Sequence, residues 1–300
     1  MTETVAPVHL VWFKRDLRVH DHAPLAAAAA CGPVLPLYVV EPDFWALPDS
    51  AGRQWRFVAE SLAELDAALR ARGSALVVRT GDAVDVLRDL LERVNVAAVW
   101  SHQETGNAWT FARDRRVAEL LCARGVPWHE RRQHGVIRGL TRRDGWAARW
   151  EKLMRAPAAD APSALNAPAL DSGAMPSSAA LGLADDPPHR QAGGRAAGLD
   201  LLASFFGPRG RDYRRAMSTP VEAYDACSRL SPHFAWGTLS VREVHQRARA
   251  ELAARDGPDG DRVQAQSLVS FRSRLHWHCH FMQKLESQPS IEFAHFHRAY

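Results

Sequence analysis

Long apolar runs are missing from this chain of 300 residues. No stretch approaches the roughly 18 consecutive apolar residues of a membrane span, and the run from Ala26 to Ala30 is short, lying between Pro24 and Gly32. The N-terminus, Met1 to Pro7, lacks the basic-then-apolar pattern of a secretory signal. The expected location is the cytoplasm, with no membrane partner. Cysteine is sparse: Cys31, Cys122, Cys227 and Cys279 never fall in a C-x-x-C spacing. That scatter argues against a disulfide framework and against a four-cysteine metal cluster. Glycine is absent from Met1 to Ala30. The glycine-rich turn that lets backbone approach a dinucleotide pyrophosphate is therefore not at the first strand, which disfavours hydride transfer with a nicotinamide. Lysine is scarce too. Only Lys14, Lys152 and Lys284 occur among 38 basic residues, the other 35 being arginines. Arginine suits bidentate phosphate contacts, but abundant alanine beside it is also what a biased nucleotide composition produces, and both readings stand. The formal charge of +4 permits nucleic-acid binding without establishing it.

Hydrophobic residues make up 46%, enough for a substantial core, and the length allows two domains. The first half alternates short apolar runs with helical patterns. Runs at 8–13, 34–40, 75–79, 97–100 and 126–130 read as strands buried on both faces. Between them, Trp55, Val58, Leu62, Leu65 and Leu69 fall at helical spacing within 54–72, with Gly73 as the expected C-cap. Segments 82–93 and 110–124 carry similar stripes. Strands joined by such helices predict right-handed βαβ units. The expected fold is α/β, a doubly wound parallel sheet (Rossmann-like) over residues 7–135, followed by an incomplete all-α domain over 199–300. Residues 136–198 are expected to link the two. Their stretch 156–198 is dense in Ala, Pro, Gly, Ser and Asp, cannot bury much surface, and is the expected first site of proteolysis. Beyond it, Ser240 with Glu243 three residues later marks a capping box, and 264–286 reads as a long helix.

Two strings carry chemistry. The first strand runs into Lys14-Arg15-Asp16-Leu17-Arg18, then His20-Asp21-His22. Alternating charges here are expected to pair internally and knit the turn to the following helix. The second string is Cys227-Ser228-Arg229-Leu230-Ser231-Pro232. Ser231 suits an N-cap and Pro232 the first helical position. Backbone N–H groups at a helix start, a hydroxyl from Ser228 and the Arg229 guanidinium together suit a phosphate. The same residues also fit a capped helix with an exposed arginine.

Val11-Trp12-Phe13-Lys14-Arg15-Asp16-Leu17-Arg18 resembles the opening signature of the photolyase/cryptochrome family. Leu37 to Pro42, Trp100 to Gly106 and Arg113-Asp114 resemble later segments of the same α/β domain. The string 227–232 is similar to that family's Thr-Ser-Arg-Leu-Ser-Pro segment, with Cys227 in place of threonine. The resemblance implies FAD as cofactor, with Tyr213, Ser228, Arg229, Leu230 and Ser231 as its expected contacts. It also implies a possible antenna chromophore, a folate or a deazaflavin, in the α/β domain, and damaged DNA as partner of a monomer. Its activity would be that of a deoxyribodipyrimidine photo-lyase, a light-dependent repair of pyrimidine dimers.

The pattern departs at Phe271 to Phe281, where the family has a helix like Trp-x-x-Glu-x-x-Trp-Arg-Glu-Phe. Trp277 matches, while Phe271, Arg274, His278 and Cys279 replace its first tryptophan, its glutamate and its Arg-Glu pair. Phe271, Arg274 and His278 remain candidate flavin contacts. No metal site is expected, because His276 and His278 lie two apart on a helix and point in different directions. His276 with His280 lacks a third ligand. The family's flavin domain continues well past a point corresponding to Tyr300, so the chain as given is expected not to repair dimers. A signalling cryptochrome without repair and a non-catalytic α/β binding module stay open as rivals.

Overall fold

The computed structural model describes residues 6–167, 170–184, 187–255, 260–296 and 299. It divides into two compact units. The first comprises Met1–Gln133, Ala159–Gly194 and Trp236–Thr238. Its strands are β1 (Val8–Phe13), β2 (Val34–Val40), β3 (Val77–Thr80), β4 (Val96–His102) and β5 (Trp128–Arg131). They form one all-parallel sheet in the order β3-β2-β1-β4-β5. Helices α1 (Ala23–Cys31), α2 (Pro42–Trp45), α3 (Gly52–Arg70), α4 (Ala83–Arg93) and α5 (Ala108–Ala123) complete the α/β layers.

Alternation along the strands divides the core between the two faces. Val11 and Phe13 of β1 and Val34, Tyr38 and Val40 of β2 pack with α1 and α3 through Leu25, Val58, Leu62 and Leu69. Val8, Leu10 and Trp12, with Leu35, Leu37 and Val39, pack with α4 and α5 through Leu87, Leu90, Val117 and Leu121. Both faces are thus covered, and near-continuous apolar strands follow from that. Helix α1 arises without periodicity. Its alanines supply propensity, Pro24 opens it, and His22 accepts a hydrogen bond from the Leu25 backbone N–H at its start.

Residues 159–194, dense in small and polar residues, are tied into this unit. Leu165 is buried in the core, its N–H donates to the Arg72 carbonyl (2.8 Å), and its carbonyl accepts from Val34 (3.0 Å). Val78 donates to the Ser172 carbonyl at 2.6 Å, and Arg190 pairs with Glu60.

The second unit comprises His134–Ala158, Arg195–Ala235 and Leu239–Tyr300. Its helices are α6 (Trp146–Arg155), α7 (Arg195–Phe206), α8 (Tyr213–Ala216), α9 (Pro220–Ala226), α10 (Ser231–Ala235), α11 (Val241–Ala253) and α12 (Arg262–Ser287). Trp146, Trp150, Leu202, Phe205, Val244, Leu268, Phe271 and Leu275 form its core. Helix α11 begins with the expected capping box on Ser240 and Glu243. The Asp261 side chain opens α12 by accepting from the Val263 and Gln264 N–H groups. The 136–198 stretch therefore splits: its start, with α6, packs in the helical unit and 159–194 in the α/β unit. Among the described residues no helix is long and apolar enough to cross a membrane.

Candidate functional site

The sheet order places its switch point between β1 and β4, where the carboxyl ends of the strands open a crevice in doubly wound folds. The residues just past those ends converge there. Lys14, after β1, donates to Asp114 of α5 at 2.9 Å. Arg113 of α5 reaches Glu41 after β2 (2.8 Å), Glu104 after β4 (2.6 Å) and Asp114 (2.9 Å). Arg15 lies 3.5 Å from Glu104, and its guanidinium sits 4.0 Å over the ring of Trp236. Trp236 in turn stacks on Trp45 with ring planes 14° apart.

Burial pushes the Glu41 carboxyl up to about 7, against the lowering effect of Arg113 and with Glu104 and Asp114 adding to the rise. Its Oε1 is buried and accepts no hydrogen bond among the described residues. The recess between Lys14, Arg15, Tyr38, Glu41, Trp45 and Trp236 leaves about 30 Å³. That is room for a water molecule, not for a chromophore.

Arg15, Asp16 and Arg18 do bond internally, to neighbours in the turn and at the start of α1 as well as to distant partners. Asp16 is fully enclosed. One of its oxygens meets His22 Nε2 (2.9 Å) and His102 Nδ1 (2.7 Å), and the other accepts from the Lys14 backbone N–H (2.7 Å). Burial works to raise Asp16, yet the two histidines outweigh it and hold the carboxyl well below its usual 3.8. Burial lowers His102 to about 3. Because His22 Nδ1 accepts from Leu25, its proton sits on Nε2 and faces Asp16. The trio is a structural lock. Arg18 donates to the carbonyls of Gly237 (2.7 Å) and Asp21 (3.0 Å). Gly237 is required there: its φ is +64°, and an added Cβ would stand 2.1 Å from the Arg15 carbonyl oxygen.

The second candidate site lies in the helical unit. Helix α10 starts at Ser231, one residue before the expected position, and runs for five residues. Ser228 and Arg229 are half-buried, Ser231 is exposed and Leu230 is wholly buried. Arg229 adopts φ +59° and lies 4.3 Å over the Tyr224 ring. A second guanidinium, Arg209, holds the segment by donating to the carbonyls of Leu201 (2.8 Å), Cys227 and Ser228 (3.4 Å). Burial, and then the nearby Arg229 charge, lower Arg209 from its ordinary value.

Tyr213 and Phe271 are core residues packed edge to face, with centroids 6.1 Å apart. Arg274 lies 4.4 Å over the exposed Trp277 ring. His278 is turned to His134 and Phe234, with centroids 5.6 and 5.7 Å away. Among the candidate contacts, then, Ser228, Arg229 and Ser231 form one accessible segment over Leu230, while Tyr213 and Phe271 belong to the packing. Arg209 escaped sequence reasoning. It has no local signal, since it acts on carbonyls 8 to 19 residues away.

Residues 9–141 match the family model described as DNA photolyase. Over those residues the chain belongs to the photolyase/cryptochrome family. It is 29% identical over 315 residues to the deoxyribodipyrimidine photo-lyase of Halobacterium salinarum, an alignment covering 96% of this chain and 63% of that protein. Its fold is similar to that of a Synechocystis cryptochrome (TM-score 0.79, 24% identity, 95% of this chain and 62% of that one). It is also similar to an archaeal photolyase from Sulfolobus tokodaii solved with two FAD molecules (TM-score 0.70, 22% identity, 97% and 62%). The chain thus spans somewhat under two thirds of the length of these photolyase and cryptochrome relatives.

Proposed function

We propose that this chain contributes the antenna-type α/β domain and the phosphate-holding part of the flavin site to a DNA photolyase that repairs pyrimidine dimers. The observation that carries the reading is the paired guanidiniums of Arg209 and Arg229 at the segment Ser228 to Ser231. Two clustered cations, a half-buried hydroxyl and an exposed turn suit the diphosphate of FAD. Arg229 would face that diphosphate, while Arg209 keeps the loop in shape. Bound FAD supplies light-driven electron transfer to the dimer. The chain's own residues bind and orient it. Damaged DNA is the proposed partner. An antenna in the α/β unit would require Arg15, Trp45 and Trp236 to rearrange, because they fill the recess at the switch point.

Titration of the purified chain with FAD tests the reading. Arg229→Ala should weaken FAD binding at least about tenfold, since a charge-assisted hydrogen bond contributes roughly 1.5–3 kcal/mol. Arg15→Ala, in the other unit, should not. Equal affinity of wild type and Arg229→Ala, with unchanged far-UV circular dichroism, would remove Arg229 from the site.

A signalling cryptochrome is the second reading. It is supported by α12, where Cys279 is wholly buried and His278 faces other side chains. Neither offers DNA the polar pair that the family carries at these positions. Equal affinity for dimer-containing and undamaged duplex would favour signalling over repair.

A further inference from the structure

In the helical unit, a segment entering from the sheet is fastened along one face of α12. The Gly135 N–H donates to Cys279 Sγ at 3.4 Å. Two residues on, Ile137 and Gln283 exchange hydrogen bonds in both directions, 2.7 Å from the Ile137 N–H and 3.1 Å to its carbonyl. The Gly135 carbonyl accepts from the Trp146 indole at 2.9 Å. Gly135 has no room for a side chain, since a Cβ would stand 2.0 Å from Trp150. These contacts hold His134 against α12, beside His278 and Cys279.

The donor atoms of His134, His278 and Cys279 all lie within 4.8 Å of one another. His278 Nδ1 is 3.9 Å from Cys279 Sγ, and the imidazoles of His134 and His278 meet at 66° with centroids 5.6 Å apart. In a tetrahedral zinc site, with Zn–S about 2.3 Å and Zn–N about 2.0–2.1 Å, neighbouring donors stand roughly 3.3–3.6 Å apart. The three groups therefore need only small movements to close on one ion.

We propose that His134, His278 and Cys279 form a three-ligand site for a borderline-soft divalent ion of the zinc class, with a fourth position for water. One thiolate and two imidazoles match that ion's donor preference. Binding releases the Cys279 proton to solvent. The Gly135 N–H then donates to a thiolate sulfur, an outer contact that helps orient such ligands. The ion would clamp the start of the helical unit to the middle of α12. This function is separate from flavin binding at Ser228 to Ser231.

Cobalt(II) is the probe. The purified 300-residue chain, stripped with chelator, should take up one equivalent of Co²⁺. The complex should show the visible bands of a tetrahedral ion and a sulfur-to-metal charge-transfer band, both lost when Zn²⁺ is added. Cys279→Ser should abolish the charge-transfer band. His134→Ala should weaken Co²⁺ binding by more than about tenfold, because even outer partners of ligands contribute 10- to 100-fold. Cys31→Ser/Cys122→Ser, which removes the two exposed thiols, should leave everything unchanged. His134→Asn serves as a second ligand variant if Cys279→Ser does not fold. No thiolate band in the wild type, a band that survives Cys279→Ser, or a band lost in Cys31→Ser/Cys122→Ser would each overturn the proposal.

Discussion

At the scale of residues, the α/β unit turns on Arg113. Its guanidinium is buried and contacts three carboxylates, Glu41, Glu104 and Asp114. Removing one member of such a cluster leaves uncompensated buried charge, which costs about 3–5 kcal/mol. Arg113→Met should destabilise the protein by that amount in urea titrations, and adding Glu41→Gln should recover part of it. Glu41 also gives a pH signature. Its folded value, about 7, lies above its usual 4.5. The folded protein therefore holds this proton in a range where the unfolded chain has released it. The stability contributed is full below 4.5 and is lost as pH rises through 7. Glu41→Gln should flatten that decline. The sequence named Arg113 and Asp114 only as part of a family-like string. Their role depends on Glu41 and Glu104, which approach from the ends of two other strands, and nothing local announces that convergence.

Among the elements, the strands were legible because a sheet covered on both faces demands continuous apolar runs, and β1 and β2 match the sequence reading end to end. Helices α3 and α4 were legible from their stripes, and α11 from Ser240 and Glu243. Helix α1 was not, because an alanine run has no apolar face to repeat. The string 227–232 was legible as a helix start, but its helix is a single short turn that follows a loop held by Arg209. The stretch 159–194 was misread by composition, since few large residues suggested a linker where a small number of well-placed bonds suffice. Leu165 decides this point. As a core residue 1% exposed, its truncation to alanine should cost about 2–5 kcal/mol. In a free linker the change would cost almost nothing. Chemical denaturation of Leu165→Ala followed through the α/β tryptophans separates the two, and a loss under about 0.5 kcal/mol would return the segment to linker status.

Across the whole molecule, buried titratable groups set the two units apart. In the helical unit, burial lowers His233, His245 and His278 to about 4 each. Each is neutral in the fold and takes up a proton on unfolding anywhere between about 4 and its usual 6.5. Their stabilising effect is therefore present above 6.5 and is lost as pH falls toward 4. In the α/β unit, His102, lowered to about 3, acts in the same direction. Glu41 opposes it, because the folded state gains relative stability as pH falls from 7 to 4.5. The two nearly cancel there, whereas the three histidines of the helical unit add. Between pH 6.5 and 4.5 the helical unit should lose stability much faster than the α/β unit. Hydrogen exchange read by mass spectrometry, with intrinsic rates corrected for pH, provides the measurement. At pH 5 the amides of α11 and α12 should lose protection relative to pH 7, while those of β1 and β2 keep theirs. Equal loss in both units would mean that these histidines are not held neutral by burial, and the contrast between the units would fall with them.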